Sequence, residues 1–323
     1  MYTAEIKSTY ETLPDLWSDG DHLYMTYTEA EDIETTTYTR LLLKTFSEDA
    51  LDRTISLGRD TRGVPYWHNP RFLKGASEPI VFFVSAQTLH GHGDIVYFCP
   101  HTSGDTEYIE TGIEGSLCSA PLLLPSGKVL LLTFEKNPQT GYYQEWVHMS
   151  FPSLKDWRRS ARPFHVDGCH FIGSELVLLD DGTLMALLRN AADDGWDLYQ
   201  SLSRDEGETW TKPVKLPFKG GHKPCINRCG DNLTIGFGRD LVFAQKNRMN
   251  KDVLLNKVSL ELVSGTPRKS VFETLKVQGP PVALKSDFGI SGITRLNDGC
   301  LWVSGYLQGQ NTGLVYVKRL DEV

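Results

Sequence analysis

The chain has 323 residues, 40% of them hydrophobic and 11% aromatic, with a net charge of −8 at pH 7; this fits a packed core and excludes a disordered chain. Basic residues are scattered through an acidic sequence, which argues against nucleic acid or an anionic membrane surface as a partner. No apolar run nears the roughly 20 residues of a membrane-spanning helix, "MYTAEIKSTY" carries no leader pattern, and six dispersed cysteines read as buried free thiols, giving a cytoplasmic expectation.

In chain order, the residues before Pro14 read as one strand that completes the last repeating unit. "LPDLWSDGDHLYMTYTEA" (13–30), "NPRFLKGASEPIVFFVSA" (69–86) and "APLLLPSGKVLLLTFEK" (120–136) each give a β run, a polar turn and a second β run. "GSELVLLDDGTLMALLRN" (173–190), "KPCINRCGDNLTIGFGRD" (223–240) and "ISGITRLNDGCLWVSGYL" (290–307) repeat the pattern more closely. Starts at 14, 70, 121, 174, 224 and 291 are spaced by 56, 51, 53, 50 and 67 residues. A period near 50 with about four strands per unit predicts a β-propeller. The expected fold is therefore all-β, a six-bladed propeller of four-stranded antiparallel blades, in one domain over 1–323.

Between the last two strands of the fourth unit lies "SLSRDEGETW" (201–210). Asp205 and Gly207 are turn formers, and Thr209 and Trp210 restart a strand with a large apolar anchor. The S-x-D-x-G-x-T-W spacing of Ser203, Asp205, Gly207, Thr209 and Trp210, inside a 50-residue β repeat, resembles the Asp-box (BNR repeat) of the sialidase superfamily. "SFPSLKDW" (150–157) is similar to a decayed copy. The resemblance implies a structural role for the box, on a blade hairpin away from the active site.

That resemblance also implies arginines for a substrate carboxylate, since guanidinium forks match carboxylates. Arg189, seven residues after Gly182, matches one family arginine, and Arg239 occupies the same place one unit later. Other positions depart. Thr12 stands where the first family arginine is expected, Gly173 where the glutamate is, with Glu175 on the same strand face, and Ile290 replaces the nucleophilic tyrosine. Asp60 in "GRDTRG" matches the acid loop only weakly.

Inner strands of a propeller converge on its axis, so equivalent repeat ends form a ring. The first runs bring Asp15, His68, Asn69, Ser119, His170, Glu175, His222, Lys223 and Asp287; the second runs bring Glu29, Glu135, Arg189, Arg239 and Tyr306. From these, Glu175, Tyr306, Asp287, Asp15 and His222 are candidates for acid, base or nucleophile. Arg189, Arg239, Lys223, His68 and Asn69 are candidates for substrate binding. The bland readings are local: arginines paired with blade carboxylates, Asp15 and Asp287 bonded to loop amides, Tyr306 in the core. His90 and His92 in "LHGHGD" lack a third ligand, so neither metal nor cofactor is expected. The expectation is an exo-acting glycoside hydrolase of an acidic sugar. The alternatives are a non-catalytic glycan-binding or scaffold propeller, or a uronate-directed polysaccharide lyase.

Overall fold

The computed structural model describes residues 2–6, 14–30, 39–47, 50–57, 66–87, 92–100, 108–117, 119–151, 154–192, 197–216, 222–229, 232–238, 252–259, 273–278, 288–308 and 313–320. No helix occurs among them. Twenty-four strands among the described residues form antiparallel meanders of four. The first comprises β2 (Asp15–Ser18), β3 (Leu23–Ala30), β4 (Thr39–Ser47) and β5 (Ala50–Leu57). The second is β6 (Tyr66–Phe72), β7 (Val81–Ala86), β8 (Gly93–Phe98) and β9 (Tyr108–Leu117). The third, β10 (Leu122–Leu123), β11 (Val129–Lys136), β12 (Tyr143–Ser150) and β13 (Trp157–Arg159), is fused to the second by pairing of β9 with β11 at Thr133↔Leu117 and Phe134↔Ser116. The fourth is β14 (Glu175–Leu178), β15 (Leu184–Arg189), β16 (Leu198–Ser203) and β17 (Val214–Lys215). The fifth is β18 (His222–Cys229), β19 (Asn232–Gly238), β20 (Asp252–Ser259) and β21 (Glu273–Gln278). The last joins β22 (Phe288–Arg295), β23 (Leu301–Gln308) and β24 (Gly313–Leu320) to β1 (Tyr2–Ile6). The segment before Pro14 thus supplies the outer strand of the last sheet, in the register Tyr2↔Val317 to Ile6↔Gly313.

Alternation along the strands explains how the sheets stack. Leu41 and Leu43 of β4 face the second sheet, while Leu42 between them faces the last. Phe83 of β7 faces the first sheet and Phe82 the third; Leu130 and Leu132 of β11 face the fourth sheet and Leu131 the second. With a side-chain period of two, a strand covered on both faces has to be apolar at successive positions. This is why "VFFV" (81–84) and "VLLL" (129–132) are unbroken apolar runs.

The first strand of each meander lies inward: β2 packs against β6 and β22, β22 against β18, and β18 against β14. Lys74 bridges to Leu122 and links the second inner strand to the third. Three inner strands break register near their starts, at His68/Arg71, His222/Cys225 and Ile290/Gly292. Two of these bulges contain a proline, Pro70 or Pro224, and proline cannot donate to a ladder. At the third, Gly292 is required by close approach: a Cβ there would stand 2.7 Å from the Leu16 amide nitrogen.

The turn at 203–210 is stapled by its own side chains. Ser203 Oγ donates to Asp205 Oδ1 (2.8 Å) and accepts from Gly207 N–H (2.9 Å). Asp205 accepts from the Thr209 amide (2.9 Å) and hydroxyl (2.5 Å), and Trp210 Nε1 donates to Gly207 O (3.0 Å). Lys128 of the third meander donates to Glu208 (3.0 Å), and Gly207 (φ 87°) sits against Leu130, so the turn also clamps two sheets together. Asp205→Ala removes these acceptors and is expected to lower stability by about 1–2 kcal/mol while preserving any turnover measured below the melting point; loss of turnover in the folded variant contradicts a structural turn.

His148 of β12 is buried, its Nε2 2.9 Å from Thr133 Oγ1. Burial, helped by the Arg159 guanidinium, lowers its pKa to about 4 from 6.5, against a weaker opposing pull from Glu135. Between those values the unfolded chain binds the extra proton, so stability falls as pH drops from 6.5 and the loss is complete near 4. The full loss is at most about 3 kcal/mol. Urea midpoints at pH 7 and 4.5 check it: His148→Gln should flatten this part of the acid limb, and an unchanged limb refutes the assignment.

Candidate functional site

Four charged side chains from three inner-strand regions meet at the axis. Asp15, the first residue of β2, is 3% exposed and accepts from the Phe72 amide (2.9 Å), tying β2 to the end of β6. Arg71 follows the bulge at Asn69–Pro70, where Asn69 adopts φ 53°, and is 6% exposed. Lys74, just beyond β6, donates to Glu175 Oε1 (2.6 Å) and to the Ile226 carbonyl of β18 (3.2 Å). Glu175 opens β14 and its side chain is 7% exposed. Two basic and two acidic side chains thus form one cluster.

Burial raises the Asp15 carboxyl above the usual range; Arg71 and Lys74 oppose this only in part. Burial likewise raises Glu175 against the pull of Lys74 and Arg71. For Lys74, burial works to remove the charge, and the Glu175 and Asp15 carboxylates outweigh it, so its pKa is raised. The buried Cys225 thiol is pushed well above its usual value by burial first and by Glu175 second, so it stands here as a protonated packing group. Arg71 differs from the rest: its buried Nε and Nη1 find no acceptor among the described residues. An unsatisfied buried guanidinium is costly and calls for an explanation.

Arg189, the last residue of β15, is also buried, at 6% exposure. Its amide donates to Ser174 Oγ (3.0 Å), and the Ser174 amide donates to Glu145 Oε1 (3.0 Å). Glu145 is fully buried in β12. Gly173 (φ 77°) leaves room for the guanidinium, since a Cβ there would stand 3.3 Å from Arg189 Nη1. Arg189 is therefore built into a shell between the third and fourth sheets.

The structure brings Asp15 and Glu175 together, as their equivalent repeat positions suggest. It places Asn69 and the half-buried His68 at the bulge before Arg71. His222, Lys223 and Tyr306 are on β18 and β23, with His222 opposite Gly238 and Tyr306 opposite Gly289 and Val315. Arg239 and Asp287 lie outside the described residues, as do Thr12 and Asp60. Glu135 pairs with Arg159, which stacks on Trp146, 3.3 Å from the ring centroid. Arg71, Lys74 and Glu145 were not singled out from the sequence. A cavity of about 760 Å³ opens where the first strands finish, lined by Trp17, Leu123, Val177 and Ile226, with Lys74 as its charged wall. It lies at the end of the sheets away from Arg189. Among the described residues no group of three or more His, Cys, Asp or Glu is arranged to hold a metal ion.

No protein-family model matches the chain, and no curated protein matches it. Solved structures do. A protein of unknown function from Dyadobacter fermentans superimposes with a TM-score of 0.70 at 13% identity, covering 98% of this chain and 97% of that one. Trypanosoma rangeli sialidase in complex with sialic acid gives 0.66 at 10% identity over 98% of this chain, which spans only 58% of the sialidase chain. Penicillium chrysogenum α-L-arabinanase complexed with arabinobiose gives 0.67 at 14% identity, covering 99% and 98%. At such identities the likeness shows the fold alone, and that fold is the sialidase-like β-propeller.

Proposed function

We propose that residues 1–323 form one six-bladed propeller that acts as an exo-glycoside hydrolase on a carboxylate-bearing sugar. The observation that carries this reading is the axial cluster, in which Asp15 and Glu175 are buried with raised pKa values beside an Arg71 guanidinium whose Nε and Nη1 have no acceptor among the described residues. Glycoside cleavage needs a protonated carboxyl to donate to the leaving oxygen and a second carboxylate as base or nucleophile. Asp15 suits the donor role. Glu175, paired with Lys74 at 2.6 Å, suits the second. Arg71 supplies the sugar-carboxylate contact within the cluster, with Arg189, Arg239, Lys223, His68 and Asn69 as further binding candidates. His222, Tyr306 and Asp287 stand as further acid–base candidates. The 203–210 turn is read as an Asp-box, stabilising the fourth blade.

A binding-only propeller is the second reading, favoured by Ile290 at the position where the family nucleophile is expected. Glycosides of sialic acids, Kdo-type sugars and uronates separate the two. The hydrolase reading expects released reducing ends without unsaturated products. Arg189→Lys should then raise KM at least about tenfold for acidic substrates and leave neutral glycosides unchanged. Binding without turnover of any substrate selects the second reading; unsaturated products select elimination.

A further inference from the structure

We infer that the end of the third sheet nearest Arg189 carries a second sugar subsite, a row of rings that stacks a neutral sugar residue. Five rings run in a row that is exposed at both ends and meets the core at Phe134. Tyr142 lies 4.1 Å from His170, His170 6.4 Å from Tyr143, Tyr143 5.7 Å from Phe134, and Phe134 6.3 Å from His92. Tyr142 is 39% exposed and His92 is exposed, whereas Phe134 packs against the core between the third and fourth sheets. Four of the five rings carry a hydroxyl or an imidazole nitrogen. A pyranose, with one apolar C–H face and a hydroxyl rim, fits such a surface better than a lipid chain does.

The platform is pre-organised. Asn137 Oδ1 accepts from the Gln139 and Thr140 amides (2.8 and 3.2 Å), the Tyr142 amide donates to Thr140 Oγ1 (3.2 Å), and Asn137 N–H donates to Tyr142 O (2.8 Å). An exposed aromatic on a stapled turn has already lost the freedom that binding would remove. The row is also joined to Arg189. His170 N–H donates to Asn190 Oδ1 (2.9 Å), and the His170 carbonyl accepts from Ala191 N–H (2.7 Å). Three residues on, Gly173 lies against the Arg189 guanidinium. A glycan whose acidic unit reaches Arg189 therefore presents its next unit to the rings.

This subsite rests on the reading of the axis as a sugar site, but it is tested with neutral sugars, to which the carboxylate contacts are blind. Saturation-transfer NMR is run on the full chain with lactose, cellobiose and arabinobiose as probes. The expected result is transfer to C–H protons of at least one disaccharide, with affinity reduced about two- to tenfold by Tyr142→Ala and retained by Tyr142→Phe. His92→Ala, at a second exposed ring, should weaken the same probe. No transfer to any of the three overturns the subsite, as does transfer that both alanine variants leave unchanged. Self-association abolished by Tyr142→Ala, without sugar binding, also overturns it and assigns the face to a second copy of the chain. Loss of acidic-sugar binding in Arg189→Lys with neutral binding intact leaves the ring platform standing, so the two readings fail separately.

Discussion

Glu175→Gln is expected to keep the fold and to lower turnover of the acidic glycoside about 10²- to 10⁴-fold, the range supplied by a positioned acid–base group. The amide keeps the shape and retains an oxygen for the Lys74 ammonium, now 2.6 Å from Oε1, but it can neither take up a proton nor attack an anomeric carbon. Asp15→Asn should cause a loss of the same order, because the proposed hydrolase mechanism has the two carboxyls serve the same bond from two sides. Steady-state rates on protein with an unchanged melting profile make the check. Activity within a few-fold of wild type in the folded Glu175→Gln variant removes this side chain from the chemistry and moves the reading toward binding alone.

The second large effect is on stability. Lys74→Met leaves Glu175, 7% exposed in its side chain, without its nearest cation, and removes the donor to the Ile226 carbonyl. Breaking a buried pair from one side costs about 3–5 kcal/mol, whereas replacing both members with apolar groups is often close to neutral. Urea denaturation of Lys74→Met should show the full loss, and Lys74→Met/Glu175→Leu should recover most of it. Simple addition of the two single costs would mean that the pair is not coupled. The cycle also separates structure from catalysis, since the double variant is stable yet lacks the proposed base.

The repeat and its strands were legible because two-residue alternation, turn glycines and β-branched runs act locally. The strand expected before Pro14 is found as β1, paired with β24 of the last sheet. The axial carboxylates were legible because Asp15 and Glu175 stand at equivalent repeat starts. Arg71 was not, although it is next to Pro70, because a register break between His68 and Arg71 determines where that side chain goes and leaves no distinct residue pattern. Lys74 lies past the end of its strand, where a lysine ordinarily reads as solvated surface. Glu145 sits on β12, a third strand, outside the two-run motif used to align the units. Glu135 has the opposite history: its repeat position suggests the axis, while an arginine two strands away on β13, Arg159, takes its charge.

The register breaks in β6, β18 and β22 bear on how such a scaffold diversifies. Each adds a residue that the ladder does not pair, so backbone amides and carbonyls border the axis whatever side chains surround them. Main-chain groups of this kind stay in place when the side chains beside them are exchanged. The bulged frame is therefore independent of the reagents mounted on it, and different side-chain chemistries can be carried by the same strands without rebuilding them.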